Sequence, residues 1–279
     1  MPFSSHKTLL GLIILAVVTG TAWAADRTFD QRFSAPTGSE LTLDTTAGSV
    51  SVAGHDGREV TIHADIAGAK ADSVRIDAKQ HGSSIEVDSH APTGGWLRLS
   101  GPEVHFVIEV PRDCAVDLTT GGGVIEVRDL TAAVREKSAG GSVAARDITG
   151  AVALNTSGGG ITVAHVTGDL DLHTSGGSID VSDVDGAIRS QTSGGGIRID
   201  VRANHGINAS TSGGPISLSL PAAARADIDA RTIGGGVSSK LTMSRTDTSD
   251  PDRLKGQING GGDQIVLHTS GGSIDISTR

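Results

Sequence analysis

From Val116 onward, apolar and polar residues alternate with a period of two inside a longer period of 18 residues. The segment Val152-Ala-Leu-Asn-Thr-Ser-Gly-Gly-Gly-Ile-Thr-Val163 is echoed one period later by Leu170-Asp-Leu-His-Thr-Ser-Gly-Gly-Ser-Ile-Asp-Val181. The hydroxyl residue ahead of the glycine pair stands at Thr120, Ser138, Thr156, Thr174 and Thr192, then at Thr211, Thr232 and Thr269 after steps of 19, 21 and 37. Self-similarity at a fixed period over such a length marks a repeat architecture.

Aligning the periods separates inward from outward positions. One column reads Val116, Val134, Val152, Leu170, Ile188 and Ile207, and a second reads Ile125, Val143, Ile161, Ile179, Ile197 and Ile216. Between them lie residues such as Asp117, Arg135, Asp171 and Arg189, so each segment reads as a strand with one buried face. Each coil then holds a strand ending at the threonine, a Gly-Gly turn, a second short strand and a bend around Leu130, Ile148, Val166 or Val184. A coil this small cannot bury its own apolar face, so successive coils must stack at about 4.8 Å, strand on equivalent strand and parallel. The predicted fold class is all-β, a parallel β-solenoid. About six apolar side chains per coil would be buried, at roughly 1.5–3 kcal/mol apiece.

Three columns carry more specific expectations. The inward threonines should bond to one another or to turn backbone. The turn glycines Gly122, Gly140, Gly158, Gly176, Gly194 and Gly213 require either a positive φ or a close approach between stacked coils. In the column Leu118, Glu136, Leu154, Leu172, Ser190 and Ala209, Glu136 breaks the apolar pattern. It is expected to pair with Arg135 or Lys137, or, in the favoured reading, to meet water where Ala144 and Ala145 make its coil thin.

Ahead of the repeats, strands are expected at Glu40 to Asp44, Val50 to Ala53, Glu59 to Ile66, Ser73 to Lys79, Ser84 to Asp88 and Val104 to Val110. The first pair follows the repeat template, and the remainder should build a β-layer capping the open end of the stack. Residues 244–263 read as a loop or irregular coil before a closing repeat at Ile265 to Ile276. The chain therefore divides into a leader at 1–24, an N-terminal β-region at 25–115 and the solenoid at 116–279.

The leader has a polar start with Lys7, an apolar stretch from Leu9 to Val18 and the small-x-small site Ala22-Trp23-Ala24, which predicts cleavage between Ala24 and Ala25 and export to the periplasm or beyond. The apolar stretch is shorter than the roughly 20 residues of a spanning helix, so no membrane span is expected after cleavage. Cleavage removes Lys7 and no acidic residue, moving the formal charge from −9 to −10. Such a balance disfavours nucleic acid as a partner. With no tyrosine, and only Trp96, Phe29, Phe33 and Phe106 left as aromatics, the girdles of an outer-membrane barrel are missing. The one cysteine, Cys114, reads as a small buried hydrophobe.

The run Val110-Pro-Arg-Asp-Cys-Ala-Val116-Asp-Leu118, the reiterated Thr-Ser-Gly-Gly-x-Ile-x-Val units and the closing Thr269-Ser-Gly-Gly-Ser-Ile274 resemble the "putative adhesin" family of exported bacterial β-strand repeat proteins. The resemblance covers about residues 40–279. It implies a β-solenoid-like fold and an envelope setting, and it brings no catalytic residues.

Candidate chemistry is sparse. Calcium-binding β-rolls need a nine-residue period with aspartate in the turn, which this chain lacks. Asp129, Asp147, His165 and Asp183 recur at the repeat step and form a candidate binding row, with Arg128 and Arg146 beside it as counter-charges. The competing reading is that polar residues simply favour a bend. No catalytic or metal-binding set and no cofactor motif is found. The expected function is a non-enzymatic envelope or surface scaffold, binding an unidentified protein or glycan; the alternative is a β-helix enzyme acting on acidic polysaccharide.

Overall fold

A computed structural model describes residues 26–68, 70–91, 101–247 and 250–279. The leader, its cleavage pair Ala24 and Ala25, and Trp96 lie outside the described residues. The first strands are β1 (Arg27–Ser34), β2 (Glu40–Thr45), β3 (Ser49–His55) and β4 (Glu59–Ala67). A 3-10 turn at Ala71–Ser73 leads to β5 (Arg75–His81), β6 (Ser84–His90) and β7 (Glu103–Pro111). The repeats supply β8 (Ala115–Thr120), β9 (Ile125–Leu130), β10 (Val134–Ser138), β11 (Val143–Thr149), β12 (Val152–Thr156) and β13 (Ile161–Thr167). They continue with β14 (Leu170–Thr174), β15 (Ile179–Asp185), β16 (Ile188–Thr192), β17 (Ile197–Val201), β18 (Ile207–Thr211) and β19 (Ile216–Leu220). The chain closes with β20 (Ala226–Thr232), β21 (Val237–Ser239), β22 (Ser244–Asp247), β23 (Arg253–Ile258), β24 (Asp263–Thr269) and β25 (Ile274–Thr278).

These strands form two long sheets, β1-β4-β7-β3-β9-β11-β13-β15-β17-β19-β25-β21 and β22-β23-β20-β24-β18-β16-β14-β12-β10-β8-β2-β6-β5. From β8 to β19 each strand pairs in parallel with its equivalent one coil away, as in Val134↔Val152 and Ile161↔Ile179. Both apolar columns read from the sequence are buried in one continuous core. Typical coils bury five apolar side chains rather than six: Val152, Leu154, Ile161, Val163 and Val166 in one case. At roughly 1.5–3 kcal/mol each, that burial still sustains a core nearly free of aromatics.

The inward hydroxyls bond to turn backbone and not to one another. Thr156 Oγ1 donates to the Gly141 carbonyl of the preceding coil at 2.7 Å and accepts from the Gly159 amide at 3.3 Å. The same pair of bonds recurs at Thr174, Thr192 and Thr211. Each hydroxyl thus satisfies two buried backbone groups that the turn would otherwise orphan.

The glycine expectation of close approach holds at Gly158, Gly176, Gly194 and Gly213, where a Cβ would lie 3.0–3.2 Å from a stacked carbonyl oxygen, but the tightest column is one residue further on. None of Gly122, Gly140, Gly158, Gly176, Gly194 and Gly213 has a positive φ, and a Cβ on Gly122 would meet nothing within 4 Å. The tight column is the following glycine: a Cβ on Gly177 would lie 2.1 Å from the Gly159 carbonyl oxygen, and one on Gly195 2.2 Å from that of Gly177. Stacked turns press backbone on backbone at this point, and a methyl group has no room.

Glu136 is neither exposed nor paired. It is completely buried, and both carboxyl oxygens lack a hydrogen-bond partner. Burial pushes its carboxyl well above the usual carboxylate range; the Ala144 amide opposes this more weakly, and nearby Glu126 adds to it. The expected opening to water fails because Ala145 narrows the coil without breaking its ladder, which continues through Ala145↔Val163.

Other departures lie at the two ends. β1 was not expected; only Phe29 and Phe33 anchor it to the core as it pairs antiparallel with β4. The strand predicted from Ser73 starts at Arg75, because the 3-10 turn occupies Ser73. The supposed loop 244–263 contains β22 and β23, antiparallel to each other, with β23 also antiparallel to β20. β23 buries Leu254 and Ile258 among polar neighbours, a pattern too short to stand out in a Gly/Asp-rich stretch. The segment Leu41 to Val52 is a coil in register with the repeats, through Leu41↔Val116, Thr45↔Thr120 and Val50↔Ile125.

Candidate functional site

The predicted row sits where the second strand of each coil turns into the next. Within β11 the inward positions are Val143 and Ala145, and strict alternation would bring Asp147 inward next. Instead Asp147 adopts φ 55° and Ile148 takes the core position. Asp129, His165 and Asp183 do the same with φ of 64°, 55° and 56°. The ladder steps over them, running Arg146↔Ala164 and then Ile148↔Val166. A left-handed residue therefore makes a one-residue kink, repeated in register from strand to strand, that turns Leu130, Ile148, Val166 and Val184 into the core. Asp and His tolerate this conformation better than most side chains, so the residue type has a backbone cause. In β17 the position is deleted, and Asp200 leads directly to Val201 in the core.

The structure brings the four residues into one column but engages them differently. Asp129 is held by Arg128 at 2.6 Å and lies 3.9 Å from Arg112, whose guanidinium also donates to the Asp129 carbonyl at 3.1 Å. Asp183 accepts from Arg279 at 3.1 Å and lies 3.9 Å from Arg202. Between these neutralised ends, Asp147 and His165 pair with each other at 3.3 Å and leave 57% and 60% of their side chains exposed. Arg146 makes no ion pair among the described residues, unlike Arg128. Arg112, Arg202 and Arg279 carry no signal in the sequence because arginine does not recur at their positions in the other coils, and they meet the row only through the fold.

On the other side of the bend, along the starts of the parallel strands, runs a shallow concavity of about 500 Å³. Arg135, Ala153, Asp171, Arg189, Asn208 and Val266 line it. Cys114 is fully buried beside the β8 start, and burial, with Asp113 adding, pushes its thiol up to about 12. That environment disfavours a thiolate. Among the described residues no three His, Cys, Asp or Glu side chains are placed to share a metal ion. No described helix is long and apolar enough to cross a membrane.

Fold and site together define a two-sheet parallel β-solenoid whose outward columns are polar. The chain belongs to the Toastrack DUF4097 family, whose model matches residues 38–277. No protein of curated function matches it. Similar solved structures include a "putative cell adhesion protein" from Clostridium sporogenes, at 12% identity over 91% of this chain and 100% of that one, with a TM-score of 0.30. A "putative adhesin" from Bacteroides fragilis gives 10% identity over 91% and 98%, with a TM-score of 0.38. A "putative lipid binding protein" from Parabacteroides distasonis gives 13% over 91% and 97%, with a TM-score of 0.40. At these scores the likenesses transfer no ligand and no role.

Proposed function

We propose that the mature chain is an exported, non-enzymatic scaffold that binds an envelope or surface protein or a glycan through the bend edge of the solenoid. Export rests on the leader ending at Ala24. Binding rests on one observation: Asp147 and His165 stand exposed in a regular column whose ends are already neutralised by arginines. Charge left free on a rigid repetitive surface favours recognition, and repeat folds commonly present such extended faces. The row offers no orienting group behind an acid and a base, which weighs against turnover of acidic polysaccharide.

The test starts with a pull-down from envelope fractions using the chain from Ala25. Binding of the captured partner should weaken with salt and with Asp147→Asn, while the melting temperature of the variant stays put. Turnover of an acidic glycan by purified protein, abolished by Asp147→Asn at unchanged melting temperature, would replace the binding reading with the enzyme.

A further inference from the structure

The last two strands stack out of sequence order. β24 lies between β18 and β20, and β25 between β19 and β21, each parallel on both sides. β20 and β21 come earlier in the chain yet sit outside them. Among the described residues no strand ladder joins β20 or β21 directly to β18 or β19. The route is also unusual: β23 and β24 flank β20 on opposite sides, so the chain crosses the end of β20 through Asn259, Gly260 and Gly261 with φ of 48°, 86° and 80°.

The inserted layer is tightly fitted. Ile265, Leu267, Ile274 and Ile276 are buried. Thr269 donates to the Gly214 carbonyl at 2.8 Å on one side, and Thr232 donates to the Gly272 carbonyl at 2.7 Å on the other. A Cβ on Gly272 would lie 2.2 Å from the Gly214 oxygen. In a stack where each layer contacts only its neighbours, removing an internal layer breaks both of its interfaces.

We propose that residues 263–278 are a strap that docks strands β20, β21 and β23 onto the solenoid, so that opening the strap releases those strands with it and leaves the coils before β18 closed. Opening would expose two fresh sheet edges, which gives the C-terminal end a defined route to strand exchange.

The test is native-state hydrogen exchange on the full chain, comparing wild type with Gly272→Ala and Thr269→Val. Amides of β20 and β23 should lose protection by the same factor as those of β24 and β25, about tenfold or more, while β10 to β15 keep theirs. If Gly272→Ala fails to fold, Thr269→Val reads the same linkage by removing one hydroxyl at nearly constant volume. Retained protection in β20 and β23 when β24 and β25 have lost theirs would overturn the proposal. Equal loss along the whole solenoid would overturn it too.

Discussion

Replacing Glu136 with leucine should stabilise the protein, and by an amount that grows with pH. The carboxyl is completely buried with neither oxygen partnered, so the folded state keeps it protonated. In the unfolded chain the same group titrates near about 4.3. Below that value both states hold the proton and the pH-dependent penalty is absent. Above it the unfolded chain releases the proton while the folded chain retains it, so stability falls by about 1.4 kcal/mol per pH unit until the raised folded value is reached. The leucine variant removes this slope. It also removes an unsatisfied polar group, which costs about 1–3 kcal/mol even when neutral.

Steric fit favours the exchange, because Glu136 stands in register between Leu118 and Leu154, and Ala145 occupies the column where adjacent coils carry Val127 and Val163. Urea melts of both proteins from about pH 4 to 7 check the reasoning. Other titrating groups cancel in the difference between variants. The expected gain is on the order of 1–3 kcal/mol at the acid end and rises above about pH 5 by up to about 1.4 kcal/mol per unit, levelling off where the raised folded value is reached. A difference that stays flat across the range would refute the claim that this carboxyl is buried and neutral.

Three further predictions rest on single positions. Gly177→Ala should destabilise by several kcal/mol in thermal melts, because the added methyl would lie 2.1 Å from a stacked carbonyl, whereas Gly122→Ala should be neutral or slightly stabilising. Asp147→Val should cost about 1–3 kcal/mol through its left-handed backbone, while Asp147→Asn should be nearly silent in the same melts. Ile179→Asp should unfold its region by burying a charge, and Asp180→Ser should change little, since the two side chains lie on opposite faces of β15.

Much of this fold is legible in the sequence because the repeat makes the same physical demand many times. A single Val152 or Ile161 is uninformative, but six aligned equivalents at one position cannot all be accidental, and both columns prove buried. What escaped was whatever the period does not repeat. β1 has two apolar anchors and no template, and the C-terminal insertion depends on a crossover that no local pattern encodes. The glycines show a subtler failure. Their column is plain in the sequence, but two adjacent glycines look alike there, and only backbone geometry shows that Gly177 is pressed against the turn below while Gly176 has a nearest contact of 3.2 Å. Glu136 stays dry because small side chains such as Ala145 can close a core as well as open it.

On the bend edge the backbone and the proposed binding face would make overlapping demands. A positive φ explains why Asp129, Asp147, His165 and Asp183 are not valine or alanine. It does not explain why three of them are aspartate, since asparagine and glycine meet the same backbone requirement without adding charge to an acidic surface. At Asp129 the charge holds the neighbouring Arg128 and lies near Arg112, and at Asp183 it holds Arg279, so at both positions it has a structural use. Among the described residues the one ionisable partner of Asp147 is His165, itself exposed, so the pair is screened by solvent and contributes little to stability. The charge at Asp147 is therefore the part of the row that folding does not account for, and this is why the asparagine variant, which keeps the bend and removes the charge, separates a binding surface from a bend that happens to be acidic.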